Sequence, residues 1–267
     1  PETTLAMLGK LLKLCAFLKY SHVTVEFWGM LRLDAMRELS WPQAFTKEQV
    51  APLFETARDM GVRLIPMFNH LGHASAARSI CGRHVVLNQN PGLAPLFEYD
   101  GWTWCLSNPA ALELLGRVRS ELIDFFGGGR QVDYFFLGCD EAYSFGACDA
   151  CSSRDPGELL CSFLNSVNDD LKKRGVRPVI WGDQLLDPEA FKGYIAMGAK
   201  TSSAIKNLSR DFVIADWQYY LFDGQDDSFR FFKEQGFDVW PAPWNDLRNV
   251  TSLCASARKL SLPGVMQ

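Results

Sequence analysis

The chemistry most plainly written into the chain is a pair of adjacent carboxylates at the end of an apolar run. Phe135-Phe-Leu-Gly-Cys-Asp-Glu141 passes from residues suited to a buried strand straight into Asp140 and Glu141. A carboxyl group desolvated against apolar or aromatic neighbours holds its proton more tightly, which suits a general acid, while a better-solvated neighbour stays ionised. The plainer alternative is that Asp140 caps the following loop and Glu141 is a solvated rim charge. His70-Leu-Gly-His73 follows a second apolar run, Val62-Arg-Leu-Ile-Pro-Met-Phe-Asn69. A single histidine near a strand end is usually a hydrogen-bonded structural group; two of them with Asp140 or Glu26 would make a mononuclear metal site, on weak spacing evidence. Cys148-Asp-Ala-Cys151 suits a redox pair, a disulfide or half of a zinc site, with Cys139 and Cys161 nearby and no second C-x-x-C. Structural thiols are the alternative reading, since a chain of this length does not need disulfide staples.

These residues need a scaffold, and the apolar periodicity supplies one. Helical spacing marks residues 4–19, a segment opened by Thr46 and closed near Gly61, then segments near 109–126, 157–174, 188–197, 226–235 and 249–260. Thr46-Lys-Glu-Gln49 has the pattern of a capping box. Between them lie strand-like runs at 22–28, 62–69, 132–139, 178–182, 212–218, 237–241 and 263–267, with a long loop-like stretch between His73 and the helix at Pro109. Alternating helices and near-continuously apolar strands imply a parallel sheet covered by helices. A doubly wound sheet would usually show a glycine-rich phosphate turn, and none is present. The expectation is therefore an α/β fold, a (β/α)8 TIM barrel lacking its first strand upstream of residue 4 and its last helix, with residues 1–267 forming a single catalytic domain.

A barrel of this kind places its reactive groups at the C-terminal ends of the strands. Those ends carry Glu26 and Trp28; Asn69, His70 and His73; Asp140 and Glu141; Trp181 and Asp183; Asp216, Trp217, Gln218 and Tyr219; and Trp240, Trp244, Asn245 and Asp246. Eight tryptophans among 267 residues are many, and flat rings serve heavy cores and sugar-binding clefts alike. The net charge of −4, without any Lys/Arg tract, argues against binding to nucleic acid. Leu5 to Leu18, the most membrane-like stretch, is interrupted by Lys10 and Lys13 and falls short of the roughly 20 apolar residues of a membrane span. No cofactor motif is present, and compartment and oligomeric state stay open. Asn207-Leu-Ser209 and Asn249-Val-Thr251 are sequons of a kind that occurs by chance.

Leu137-Gly-Cys-Asp-Glu141 resembles the H-x-G-G-D-E signature of family 20 glycoside hydrolases, the β-N-acetylhexosaminidases. Ile65-Pro-Met-Phe-Asn-His-Leu-Gly-His73 is similar to that family's P-E-I-D-x-P-G-H segment, and the spacing between the two also fits. Cys139 stands for a signature glycine and Asn69 for the usual aspartate, as in a divergent branch. The resemblance implies hydrolysis of a glycan ending in β-linked N-acetylhexosamine, with the sugar's own 2-acetamido oxygen as nucleophile. It implies Glu141 as general acid/base and Asp140 as acceptor of the acetamido N–H. It further implies an aromatic cage of Trp181, Trp217 and Trp244, a hydrogen bond from Tyr219 to the acetamido oxygen, and His73 as support for the acid/base residue. Glu26, Asn69 and Asp183 are further candidates for contacts with sugar; Glu26 could instead pair with Arg32.

The residues agree with substrate assistance on one point. Many barrel glycosidases carry a nucleophilic glutamate at the penultimate strand end, where this chain reads Trp240-Pro-Ala-Pro-Trp-Asn-Asp246. Two alternatives stay open: a non-catalytic carbohydrate-binding barrel, and a two-carboxylate glycosidase using Glu141 with Glu26 or Asp246.

Overall fold

In the computed structural model, which describes residues 4–74 and 90–267, six parallel strands hydrogen-bond in chain order. They are β1 His22–Glu26, β2 Arg63–Met67, β3 Tyr134–Phe136, β4 Arg177–Trp181, β5 Val213–Trp217 and β6 Asp238–Ala242. Six α-helices accompany them: α1 Leu5–Phe17, α2 Lys47–Asp59, α3 Pro109–Gly127, α4 Pro156–Lys172, α5 Asp227–Glu234 and α6 Leu247–Lys259. Part of the loop-like stretch after His73 lies outside the described residues.

The helix ends follow local chemistry. Thr46 and Gln49 form the reciprocal capping box at the start of α2, each side chain bonding the other's backbone amide. Asn108, Asp155 and Asp246 cap α3, α4 and α6, and proline occupies the first turn of α3 and of α4, where no amide donor is needed. Gly128, in the left-handed region at φ +55°, stops α3.

Strand alternation divides the core into two layers. Ile65, Phe136, Val179, Val213 and Ala215 point to the concave side of the curled sheet, with Trp181 and Trp240 beside them. Their sequence neighbours Phe135, Ile180 and Ile214 face the helices and join Phe54, Phe126, Phe229, Phe232 and Leu253. Side chains filling the inside of a parallel sheet as well as its helical side give a partial barrel, with β1 and β6 as its edges.

Two expectations change. Residues 188–197 form turns rather than a helix, because Gly193 takes φ +85° and Met197 and Gly198 bond back to the carbonyls of Asp183 and Leu186. Residues 263–267 form no strand, so the described sheet has six strands rather than seven; Met266 nonetheless donates to the Pro241 carbonyl at 3.0 Å and packs into the concave cluster. Helix α1 buries only Leu12 fully and leaves Met7, Leu11, Leu14 and Phe17 exposed. Among the described residues no helix is long and apolar enough to cross a membrane.

Candidate active site

The strand ends that carry the candidate residues are built from backbone most side chains avoid. Trp28, His73, Cys139 and Glu141 all have positive φ, between 47° and 73°, and Gly138 sits among them at 66°. Such conformations cost of order 1–3 kcal/mol for a non-glycine residue and persist only where surrounding contacts enforce them. For His73, Cys139 and Glu141 the enforcement is close packing between the loops after β2 and β3. A Cβ on Gly138 would fall 1.8 Å from Asn69 Oδ1, and one on Gly72 would fall 1.9 Å from the Asp140 carbonyl oxygen. Only hydrogen at both positions lets the two loops interlock.

That interlocking sets His73 between the two acids. Its Nε2 lies 3.2 Å from Asp140 Oδ2 and 2.9 Å from Glu141 Oε2. These are close approaches more than aligned hydrogen bonds, since Nε2 has no partner of good hydrogen-bond geometry. Burial disfavours the imidazolium, but the two carboxylates outweigh it and raise the His73 pKa above its ordinary value. Glu141 is fixed from three further directions. The Tyr143 hydroxyl donates to Oε1 at 2.8 Å, the Trp102 indole donates to the Glu141 carbonyl at 2.8 Å, and the Glu141 amide donates to Asp183 Oδ2 at 3.0 Å. Trp102 also packs on the His73 ring, centroids 4.2 Å apart.

Asp140 differs from its neighbour in one respect. Its Oδ1 is buried and accepts no hydrogen bond. A buried carboxylate oxygen without a donor is costly and marks a place where an incoming N–H or O–H would be welcomed. Asn69 Oδ1 is likewise buried and unpartnered, while Asn69 Nδ2 donates to Glu26 Oε1 at 2.6 Å. Glu26 is pushed up to about 7, chiefly by burial and further by the Asp140 charge, against the pull of Trp28 and His73.

The aromatic side of the site is a row. Trp217 and Tyr219 have centroids 5.1 Å apart, Tyr219 and Trp244 are 4.7 Å apart, and Trp244 is largely exposed. Trp181, one strand over, packs against Phe136 on the concave face with centroids 4.6 Å apart. Burial raises the Tyr219 hydroxyl to about 12, and the charges of Asp140, Glu141 and Asp183 add to the shift, so the phenol remains a donor.

Several expectations are relocated. Asp183 is 1% exposed and lies beneath the pair, its oxygens taken by the Glu141 amide, the Trp217 indole at 3.1 Å and the Gln184 amide at 3.3 Å. Its described oxygen contacts all run to protein donors. Burial and the Asp140 charge raise its pKa to about 7. His70 is fully buried, with Nδ1 2.6 Å from the Phe68 carbonyl and Nε2 3.2 Å from Arg119, and its pKa is lowered to about 3 by burial and by Arg119. A neutral, engaged His70 removes the two-histidine metal site from consideration. His73, Asp140 and Glu141 do lie close enough to share one ion. Asp246 caps α6 and pairs with Arg248 at 2.8 Å, away from the acids. Arg32 donates to the Pro42 carbonyl, so the pairing with Glu26 is not made. Asn249 is buried and donates to the carbonyls of Gln218 and Leu221, which closes that sequon to modification in the folded chain.

Tyr143, Trp102 and Trp104 were not anticipated. Trp104 is buried and donates to the Asn69 carbonyl at 2.9 Å, doing for the β2 loop what Trp102 does for the β3 loop. The available signal was Trp102-Thr-Trp104, two indoles in a polar loop where a buried N–H must find an acceptor.

Comparison with known proteins gives this geometry a family. The description "Glycosyl hydrolase family 20, catalytic domain" matches residues 19–260. This chain belongs to glycosyl hydrolase family 20. A beta-hexosaminidase of Porphyromonas gingivalis is 24% identical over an alignment covering 64% of this chain and 23% of the relative. A beta-N-acetylhexosaminidase of Bacteroides fragilis superposes with a TM-score of 0.63 at 18% identity, covering 90% of this chain and 48% of that one. The exo beta-N-acetylglucosaminidase of Vibrio harveyi, solved with N-acetylglucosamine, gives 0.64 at 19% identity, with coverage of 90% and 39%. The chitobiase of Flavobacterium johnsoniae gives 0.65 at 17% identity, covering 91% and 36%. At these identities the family 20 structures share the fold, and this chain spans less than half the length of each of these relatives.

Proposed function

We propose that this family 20 domain, residues 1–267, removes terminal β-linked N-acetylhexosamine from glycans by a substrate-assisted retaining mechanism. The observation that carries the reading is the unpartnered, buried Asp140 Oδ1 next to a Glu141 side chain held by His73 and Tyr143. Asp140 accepts the acetamido N–H and so aims the acetamido oxygen at the anomeric carbon. That oxygen forms the new C–O bond as Glu141 delivers its proton to the leaving oxygen, giving an oxazolinium ion. Glu141 then takes a proton from water, which opens the ring with net retention. The Asp140 charge stabilises the developing cation, and the Tyr219 hydroxyl donates to the acetamido oxygen.

Trp217, Tyr219 and Trp244 form the wall against the acetamido methyl and the pyranose face, with Trp181 as floor and Glu26, Asn69 and His73 at the polar margin. The two other carboxyl groups near the pair are poor nucleophiles: Glu26 is raised to about 7 and bonded by Asn69, and Asp183 is sealed beneath the loop. This favours the acetamido group over a second protein carboxylate.

The reading predicts release of nitrophenol from the aryl β-glycosides of both N-acetylglucosamine and N-acetylgalactosamine, with inhibition by a thiazoline mimic of the intermediate. Glu141→Gln should abolish turnover of a substrate with a poor leaving group. Undiminished turnover in that variant, or sugar binding with no hydrolysis of any aryl glycoside by the native chain, would overturn the proposal.

A further inference from the structure

Behind the acid pair lies a second cluster that the proposed reaction does not use. Cys105 sits on the loop before α3, and Cys148 and Cys151 sit on the loop between β3 and α4. Cys105 Sγ is 3.4 Å from Cys148 Sγ and 3.7 Å from Cys151 Sγ, and all three thiols are buried. The Glu98 carboxylate joins them, with one ligand atom from each residue lying within 4.8 Å of the others. Two thiolates on a tetrahedral zinc ion, at about 2.3 Å from the metal, stand about 3.8 Å apart. The observed separations approach the edges of such a tetrahedron, whereas a disulfide needs about 2.05 Å and would leave one of the three sulfurs over.

The surroundings suit an anionic, metal-bearing cluster. The Ser107 hydroxyl lies 3.1 Å from Cys151 Sγ and itself accepts from Arg154 at 3.3 Å, so its own hydrogen is free to point at sulfur. Glu98 is 1% exposed, and its oxygens are aimed by two backbone amides, Gly146 at 3.1 Å and Cys148 at 2.6 Å. Each oxygen keeps a lone pair for a metal. Neither amide carries a positive charge to offset a buried carboxylate; a dication would. A cavity of about 600 Å³ lined by Glu98, Cys105, Ser107 and Cys148 provides a way in.

We propose that Cys105, Cys148, Cys151 and Glu98 bind one structural zinc ion. Binding forms three Zn–S bonds and one Zn–O bond and releases the three thiol protons to solvent, so affinity rises with pH. The ion ties the loop bearing Trp102 and Trp104 to the loop that begins at Glu141, and thereby holds the indole donor on the Glu141 carbonyl. The site stands on its own residues and does not depend on which sugar, if any, the domain cleaves.

The test is metal analysis of the full chain purified without chelator from zinc-replete cells. About one zinc per chain is expected, falling towards none in Cys105→Ser, Cys148→Ser and Cys151→Ser and unchanged in Cys254→Ser. If the serine variants fold poorly, cobalt substitution of the native chain provides the second measurement, with the intense visible spectrum of tetrahedral thiolate coordination expected. Zinc removal should also lower the melting temperature. A native chain without stoichiometric zinc, a disulfide joining any two of the three cysteines in mass spectrometry, or zinc retained by folded forms of all three serine variants would overturn the assignment.

Discussion

Glu141 is oriented by groups from four separate stretches of chain, and each can be removed singly. Tyr143 is the simplest to test, because its hydroxyl donates to Glu141 Oε1 from an exposed ring that can lose the oxygen without a cavity. A hydrogen bond to a charged group contributes roughly 1.5–3 kcal/mol, so Tyr143→Phe should lower kcat about 10-fold or more while leaving the melting temperature unchanged. A variant with full activity would remove Tyr143 from the account. The legibility of the site divides at this scale. Asp140 and Glu141 could be read in the sequence because two ionisable groups abruptly end an apolar run, and Asn69, Glu26 and His73 because strand ends are predictable. Tyr143 reaches back two residues, and Trp102 reaches across 39 positions to a backbone carbonyl. Neither contact leaves a periodic trace. Asp183 is legible as a strand-end acid, whereas only the folded chain shows its oxygens turned to the Glu141 amide.

The loops after β2 and β3 act as one unit because Gly72 and Gly138 allow contact at a distance no Cβ permits. Gly72→Ala would drive a methyl group against the Asp140 carbonyl, which is backbone and cannot swing aside. The expected outcome is destabilisation of about 2–4 kcal/mol together with loss of activity, measured by denaturant unfolding and aryl-glycoside turnover. Unfolding and activity both close to those of the native chain would mean that the interlock is looser than described. Element order was legible because apolar strands and capped helices each leave a strong pattern, as the Thr46–Gln49 box illustrates. The misread helix at 188–197 had the composition of a helix, but Gly193 in the left-handed region and the turns around it prevail over propensity.

Over the whole molecule, the buried acids make stability depend on pH in a defined direction. Glu26 has a folded pKa raised to about 7 from the model-compound value of 4.5. The folded chain therefore binds this proton more tightly than the unfolded chain. The resulting stabilisation is complete below about pH 4.5 and is lost as pH rises through about 7. With about 1.4 kcal/mol for each pKa unit, Glu26 contributes roughly 3 kcal/mol to that decline. Glu26→Gln should flatten the pH dependence of unfolding free energy across this window, leaving the shares due to Asp183 and Asp216, whose pKa values burial also raises; an unchanged slope would show that Glu26 is not protonated in the fold. The raised His73 pKa acts in the same sense, its contribution being lost as pH rises above the ordinary histidine range. The central proposal is that the substrate's acetamido group is the nucleophile. It is tested most directly by comparing kcat/KM for aryl β-glucosaminides whose N-acyl group runs from acetyl through mono- and difluoroacetyl to trifluoroacetyl. The account predicts a steep fall, of several orders of magnitude, as fluorine weakens the attacking oxygen. A flat series would contradict it and assign the attack to a protein carboxylate.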